Sequence, residues 1–242
     1  MPTAVRRSSG VARTARAILA TIALTVWALV AVPIAHAGDH HTIVLTFVRH
    51  GQSAANAAGI IDTAVPGPDL TEQGNQQAQK VVDDLSVNHY DGIYASNMVR
   101  TQETAAPMSE ALHEAITVLP GLREIEAGSN EGLSVNDAPV YPAPGVWLKG
   151  DLGARIPGAI NGHEFAARFN DAMNTIYRTG ETNPIVFSHG LAIQYWVLIN
   201  VKNRKMAPPD TVLPNTAHVV VTGNPTDGWT LANWNGTPVS HG

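Results

Sequence analysis

The sequence predicts an α/β domain: a three-layer sandwich built on a mainly parallel central sheet. Three observations predict it. Apolar, β-branched runs alternate with stretches of helical periodicity, the pattern of successive strand–helix units. Residues 42–48 (TIVLTFV) are continuously apolar, as expected of a strand buried on both faces. Two strands end in His-Gly and lead into a helix, at Phe47-Val48-Arg49-His50-Gly51 and at Val186-Phe187-Ser188-His189-Gly190. In a parallel sheet both would open on one edge, where ligands bind.

Residues 1–37 are read as a targeting segment ahead of one domain spanning 38–242. Arg6, Arg7, Arg13 and Arg16 give a basic start without an acid, and residues 17–35 carry no charge. Ala35-His36-Ala37 has the small-x-small form that a signal peptidase cleaves, so cleavage is expected after Ala37. The alternative is an uncleaved membrane anchor, because 17–35 is long enough to span a bilayer. Either way the expected location is outside the cytoplasm, secreted or in the cell envelope.

Within the domain, Thr71 is the expected N-cap of a helix through Leu85, with Ala78, Val81, Val82 and Leu85 at helical spacing. Residues 91–95 read as a second strand. A helix over 97–113 follows, which Pro107 should kink or split. Residues 116–119 form a third strand, ended by Pro120-Gly121. The segment 126–162 is rich in Gly, Pro and Asn, has no period, and is long for a plain connection. It is read as a lid or insertion, with Tyr141, Trp147, Lys149 and Arg155 as its substrate contacts. A helix over 162–178 carries Phe165, Phe169, Met173 and Ile176 on one stripe. Residues 184–187 form a strand and 191–200 a helix. Strands over 218–222 and 229–234 would pair around the turn-rich GNPTDG.

Composition excludes several classes. The formal net charge is −5, and the targeting segment takes away four arginines and no acid. The remaining acidic domain has no electrostatic case for nucleic acid. With no cysteine, disulfides and Cys-based metal sites are ruled out. His163-Glu164 opens like a zinc-protease HExxH, but Ala167 stands where the second His is needed. No phosphate-binding GxxxxGK[ST] loop occurs, and Ser188 lacks the flanking GxSxG. No metal and no cofactor is expected.

The site follows from the strand ends. The strand closing at Ala95 leads to Ser96-Asn97-Met98-Val99-Arg100, which puts Arg100 in the first turn of the next helix. Arg49 and Arg100 can then converge on one anion, with guanidinium forks matched to phosphate. Gly51 and Gly190 would let the backbone turn sharply and approach a ligand. The helix N-terminus after Gly190 would add N–H groups that favour an anion. Two His, two Arg and a helix N-terminus on one edge read as a phosphate pocket.

These residues lie in motifs that resemble the histidine phosphatase superfamily, which includes the cofactor-dependent phosphoglycerate mutases. RHGQSAAN (49–56) is similar to that family's RHGESxxN, and LTEQGNQQA (70–78) to its LTxxGxxQA. SNMVRTQETA (96–105) resembles SxxxRTxxTA, LREIEAGSNEG (122–132) resembles LxExxxGxxEG, and FSHG (187–190) resembles the second-histidine motif. Five motifs in order are far more specific than a single RHG.

The resemblance implies a phosphoglycerate mutase-like sandwich and a phosphomonoester hydrolase working through a phosphohistidine. His50 would be the nucleophile. Arg49, Arg100, His189 and Gly190 would surround the phosphoryl oxygens, with Asn56 helping. Glu124 would be the general acid, its pKa raised by burial or by bound phosphate, with Glu126 and Glu131 as nearby competitors. The implied partner is a small phosphomonoester. The alternatives are a mutase that returns the phosphoryl group to its substrate, and a catalytically silent phosphate-binding surface protein. Gln52 and Ala55 depart from the family's usual Glu and Trp. Ile125 stands where the glycolytic mutases carry Arg, which removes a contact to a substrate carboxylate.

Overall fold

The computed structural model describes residues 40–207 and 213–239. The expected targeting segment, its cleavage site and the anchor over 17–35 lie outside the described residues. Among those described, no helix is long and apolar enough to cross a membrane.

One seven-stranded sheet organises the unit Asp39–Gly242. Its strands are β1 (Ile43–Arg49), β2 (Gly92–Ala95), β3 (Ile116–Val118), β4 (Pro184–Ser188), β5 (His218–Asn224), β6 (Gly228–Trp234) and β7 (Thr237–Pro238). They lie in the order β3-β2-β4-β1-β5-β6-β7. The first four in that order are parallel, and β5, β6 and β7 add an antiparallel margin. The helices are α1 (Ala54–Ala58), α2 (Glu72–Leu85), α3 (Val99–Leu112), α4 (Gly162–Arg178) and α5 (Gly190–Asn200).

The alternation of β1 explains the three layers. Ile43, Leu45 and Phe47 point into a core shared with α4 and α5, through Phe165, Phe169, Ile176, Ile193 and Trp196. Val48 faces the other way, with Ile93, Ala95, Ile185 and Phe187, against Val81, Val82 and Leu85 of α2 and Met108 of α3. A strand covered on both sides has no polar face to show, hence its continuous apolar run.

The caps fall where the side-chain chemistry demands. Thr71 accepts from the Gly74 N–H and starts α2. Asn161 and Glu164 form a capping box that starts α4. Pro107 does not split α3: the helix runs unbroken from Val99 to Leu112. Met108, directly after the proline, is fully buried in the cluster that faces the sheet.

An aromatic cluster ties β1 to α4 and α5. Phe169 meets Phe47 at 6.0 Å, Phe165 at 5.7 Å and Trp196 at 5.5 Å between ring centroids. Replacing Phe169 with Ala removes the ring that all three share. It should cost about 3–5 kcal/mol, read as a lowered urea midpoint with an unchanged slope.

Candidate active site

Strand register builds the site. Arg49 of β1 lies opposite Ser188 of β4, so the next residues, His50 and His189, leave the sheet side by side. The His50 N–H donates to the Ser188 carbonyl at 3.0 Å, and the two rings meet edge-on with centroids 5.1 Å apart. On the far side of β4, Ala95 lies opposite Phe187, which brings Ser96 and the start of α3 to the same edge.

The His50 ring has one orientation. Its Nδ1–H donates to the Gly51 carbonyl at 2.7 Å. That leaves the Nε2 lone pair free of a proton, and the Arg100 Nε–H donates to it at 3.1 Å. Burial, with Arg100 and Arg49 close by, holds the ring well below the usual histidine pKa. His189 is depressed in the same way, by burial first and then by Arg100.

Hydroxyl groups fix the tautomer of His189. Thr101 Oγ1 has a single proton, which goes to the Met98 carbonyl at 2.8 Å, with the Ser96 carbonyl next nearest at 3.1 Å. Thr101 Oγ1 therefore accepts from Ser96 Oγ at 2.9 Å. Ser96 Oγ in turn accepts from His189 Nε2–H at 2.8 Å. His189 Nδ1 is left buried without a hydrogen-bond partner, as are Arg49 Nε and Arg100 Nη1. Such atoms are costly in a native fold unless a ligand meets them. Arg49 is held by a bond from Nη1 to the Leu213 carbonyl. Arg100 is held by Nη2 on the Asp62 carbonyl at 3.2 Å.

Two carboxylates stand beside this group: Asp62, 3.7 Å from Arg100, and Glu124. Glu124 is held by backbone donors. Its Oε1 accepts from the N–H groups of Ala192 and Ile125, both at 2.8 Å, and its Oε2 from Leu191 at 3.2 Å. Burial raises its pKa, although those three bonds and Arg100 pull the other way. The competitors are engaged elsewhere. Glu126 pairs with Arg123 at 2.7 Å, and Glu131 accepts from the N–H groups of Thr63 and Ala64.

A cavity of about 260 Å³ opens on this edge, lined by Arg49, His50, Asn56, Arg100 and Glu124 among others. Asn56 Oδ1 is taken by the Ser53 N–H and by Asn215 Nδ2, so its own amide NH2 is the part open to an oxyanion.

Four expectations need correction. The free N–H groups of α5 do not await a phosphate, because Glu124 takes two of them. His189 and Gly190 do not line the cavity: His189 is fully buried behind His50. Neither Gly51 nor Gly190 has a positive φ. A Cβ on Gly51 would stand 2.6 Å from the Gly74 carbonyl oxygen, and one on Gly190 would stand 3.3 Å from Arg49 Nε. These glycines make room for neighbours rather than for a ligand. Finally, Tyr141, Trp147, Lys149 and Arg155 do not line the cavity. Trp147 is a core residue, stacked on Phe165 with its indole N–H on the Ala154 carbonyl. Arg155 lies near Glu164. The insertion does reach the cavity, but through Val135, Pro144 and Ile156.

Several contributors carried no assigned role in the sequence. Thr104 Oγ1 accepts from the Gly51 N–H at 2.9 Å and donates to the Arg100 carbonyl at 2.6 Å, tying the His50 loop to α3. The signal was hydroxyls on the Arg100 face of a helix, at positions 101 and 104. Arg168 of α4 donates to the carbonyls of Gly121, Arg123 and Glu124 at 2.7–2.8 Å and so holds the loop that carries the acid. Burial lowers its pKa to about 10.

A model of the histidine phosphatase superfamily (branch 1) matches residues 45–237. The PE-PGRS family protein PE_PGRS11 of Mycobacterium tuberculosis is 40% identical across 84% of this chain, which spans only 38% of that relative's length. The probable phosphoglycerate mutase GpmB of Erwinia tasmaniensis is 32% identical, across 60% of this chain and 69% of its own. Among solved structures, a phosphoglycerate mutase from Bacillus anthracis shares the fold, with a TM-score of 0.65 at 18% identity over 82% of this chain and 94% of its own.

The depressed histidines make stability depend on pH. An unfolded histidine takes up its proton near its ordinary value of 6.5, whereas His50 and His189 resist it in the folded state. Stability is therefore complete above about 6.5 and falls as pH drops below it, by up to about 1.4 kcal/mol per pH unit for each ring. Glu124, shifted upward, offsets one ring over any part of that window its raised value reaches. Urea unfolding at pH 7.5 and 5.5 should show the loss, reduced in His50→Gln. Equal stability at the two pH values would mean that the rings are not held neutral.

Proposed function

The chain belongs to the histidine phosphatase superfamily, and on that premise we propose that it is a phosphomonoester hydrolase with a covalent intermediate on His50. One observation carries the reading. The Nε2 lone pair of His50 is oriented by the Gly51 carbonyl, beside Arg49 Nε and Arg100 Nη1, which make no hydrogen bond, with Glu124 lining the same cavity.

The chemistry balances on these groups. His50 Nε2 attacks phosphorus as the bond to the leaving oxygen breaks. The oxygen keeps the electron pair and takes a proton from Glu124. Water then attacks the phosphohistidine and gives its proton to the Glu124 carboxylate. Phosphate leaves, and the lone pair returns to Nε2. Arg49 and Arg100 meet the charge on the equatorial oxygens, so these steps call for no metal. In this reading an incoming phosphoryl group displaces Arg100 Nε from His50, and His189 backs the clamp from behind the ring.

Glu124 must be protonated for the first step and ionised for the second. Three backbone N–H groups favour the ionised form, and burial favours the acid. A phosphoryl dianion arriving beside it tips the balance toward the acid, so proton uptake accompanies binding. Arg168 is a positioning residue here, because it sets the height of the loop that carries Glu124.

The mutase alternative draws on the name of the Erwinia relative. It is weakened by Ile125, which lines the cavity where a cation for a substrate carboxylate would be needed. The basic and then apolar start of the chain supports an enzyme exported from the cytoplasm.

Rapid-quench labelling with a phosphomonoester should give an acid-labile, base-stable phosphoprotein that His50→Ala abolishes. In Glu124→Gln, kcat should fall by about 10²–10⁴-fold, and the pH dependence of kcat assigned to this acid should disappear. Free phosphate should be the product. A phosphoryl group returned to the organic product would establish the mutase instead, and tight phosphate binding without labelling would establish a binder.

A further inference from the structure

We propose that the leaving group of the substrate is an uncharged, apolar alcohol, alkyl or aromatic, rather than a carboxylated one; the proposal rests on the hydrolase reading of the same site. Beyond the phosphoryl clamp, the cavity wall is formed mainly by Ile60, Ile61, Val135, Pro144, Ile156 and Leu191. Among the described residues that line it, the only cations are Arg49 and Arg100, both assigned to the phosphoryl group. The other ionisable groups in the wall are all acids: Glu124, Asp62, which lies 3.7 Å from Arg100, and Glu126, which pairs with Arg123. A second anion on the substrate would meet those acids with no cation to pair with.

The backbone of the ribbon in this wall offers no substitute. Residues 59–61 pair with 132–135 as a short ribbon. Ile61 N–H donates to Leu133, Gly132 N–H to Ile61, and Val135 N–H to Gly59, at 2.8–2.9 Å. The N–H groups of Thr63 and Ala64 are taken by Glu131. Every one of these donors is spent inside the protein, so the ribbon presents side chains and not N–H groups. It is also built in advance, which spares an apolar ligand the cost of ordering it.

The exposure of the wall continues the pattern. Val135 lines the cavity and is 57% exposed. A large apolar residue held in water at a cavity wall suits a ligand that covers it.

The test uses the full chain and two sets of phosphonates in calorimetry: alkylphosphonates from methyl to hexyl, and ω-carboxyalkylphosphonates of matching length. Affinity should rise about fourfold per methylene until the cavity is filled. Each carboxylated ligand should bind more weakly than its alkyl counterpart. Val135→Lys, at an exposed position that tolerates charge, should narrow or invert that preference. Affinity independent of chain length, or carboxylated ligands binding as tightly as alkyl ones, would overturn the proposal. Phosphate release from hexyl phosphate, and its loss in His50→Ala, is measured in parallel. An alkyl preference without turnover would sink the hydrolase reading and leave the apolar ligand class standing. Turnover with a carboxylate preference would do the reverse.

Discussion

The parallel pairing of β1 with β4, in the register that sets Arg49 opposite Ser188, is the constraint on which the rest of the site depends. It brings together two histidines that lie far apart in the chain. A slip of one residue would turn every side chain of β1 to the opposite layer. Phe47 would leave the aromatic cluster of α4 and α5, and Val48 would leave the face of α2 and α3. The apolar packing of both layers therefore enforces the placement of His50. Stability and site geometry are one property of this strand.

Electrostatics closes the arrangement. Burial first, and then the two guanidinium groups alongside, hold both imidazoles toward the neutral form that a nucleophilic nitrogen requires. The same cations draw in carboxylates: Asp62 lies 3.7 Å from Arg100, and Glu124 stands close by. It is kept short of the guanidinium groups by Leu191 and Ala192, whose N–H groups hold it at the start of α5. Ser188 Oγ on the Leu122 carbonyl and Arg168 on three carbonyls fix the loop from below. The acid is thus placed by backbone donors, not by an ion pair. It remains close to the clamp and can still change its protonation state.

What was legible in the sequence follows from how local each cause is. The caps at Thr71 and Asn161 act within three residues, and the α4 stripe is a matter of helical spacing. The sandwich with its mainly parallel centre followed from the apolar strands, and the meeting of His50, His189 and Arg100 from strand–helix topology. The errors share a different origin. The α5 N-terminus looked free because its partner, Glu124, lies more than sixty residues away. Trp147 looked like a ligand contact because an aromatic residue in a Gly- and Pro-rich loop gives the same signal whether it faces a cavity or the core. Ser96, Thr101 and Arg168 act through bonds to atoms whose position only the folded chain defines.

The two halves of the site have separate structural origins. The phosphoryl clamp comes from the ends of β1, β2 and β4, which the sheet cannot rearrange without unfolding both cores. The wall that faces the leaving group comes from the ribbon of 59–61 with 132–135, and from Pro144 and Ile156 of the insertion. These segments carry few of the contacts that hold the layers together, so their side chains can vary without disturbing the clamp. A relative named as a phosphoglycerate mutase can then share the RHG and SHG elements while the leaving-group wall differs. Ile125 lies at the junction of the two. It follows the acid directly, it lines the cavity, and its side chain replaces a charge with an apolar surface. On the proposed reading, chemistry at phosphorus would be set by the sheet, and the choice of alcohol by a ribbon that the sheet does not need.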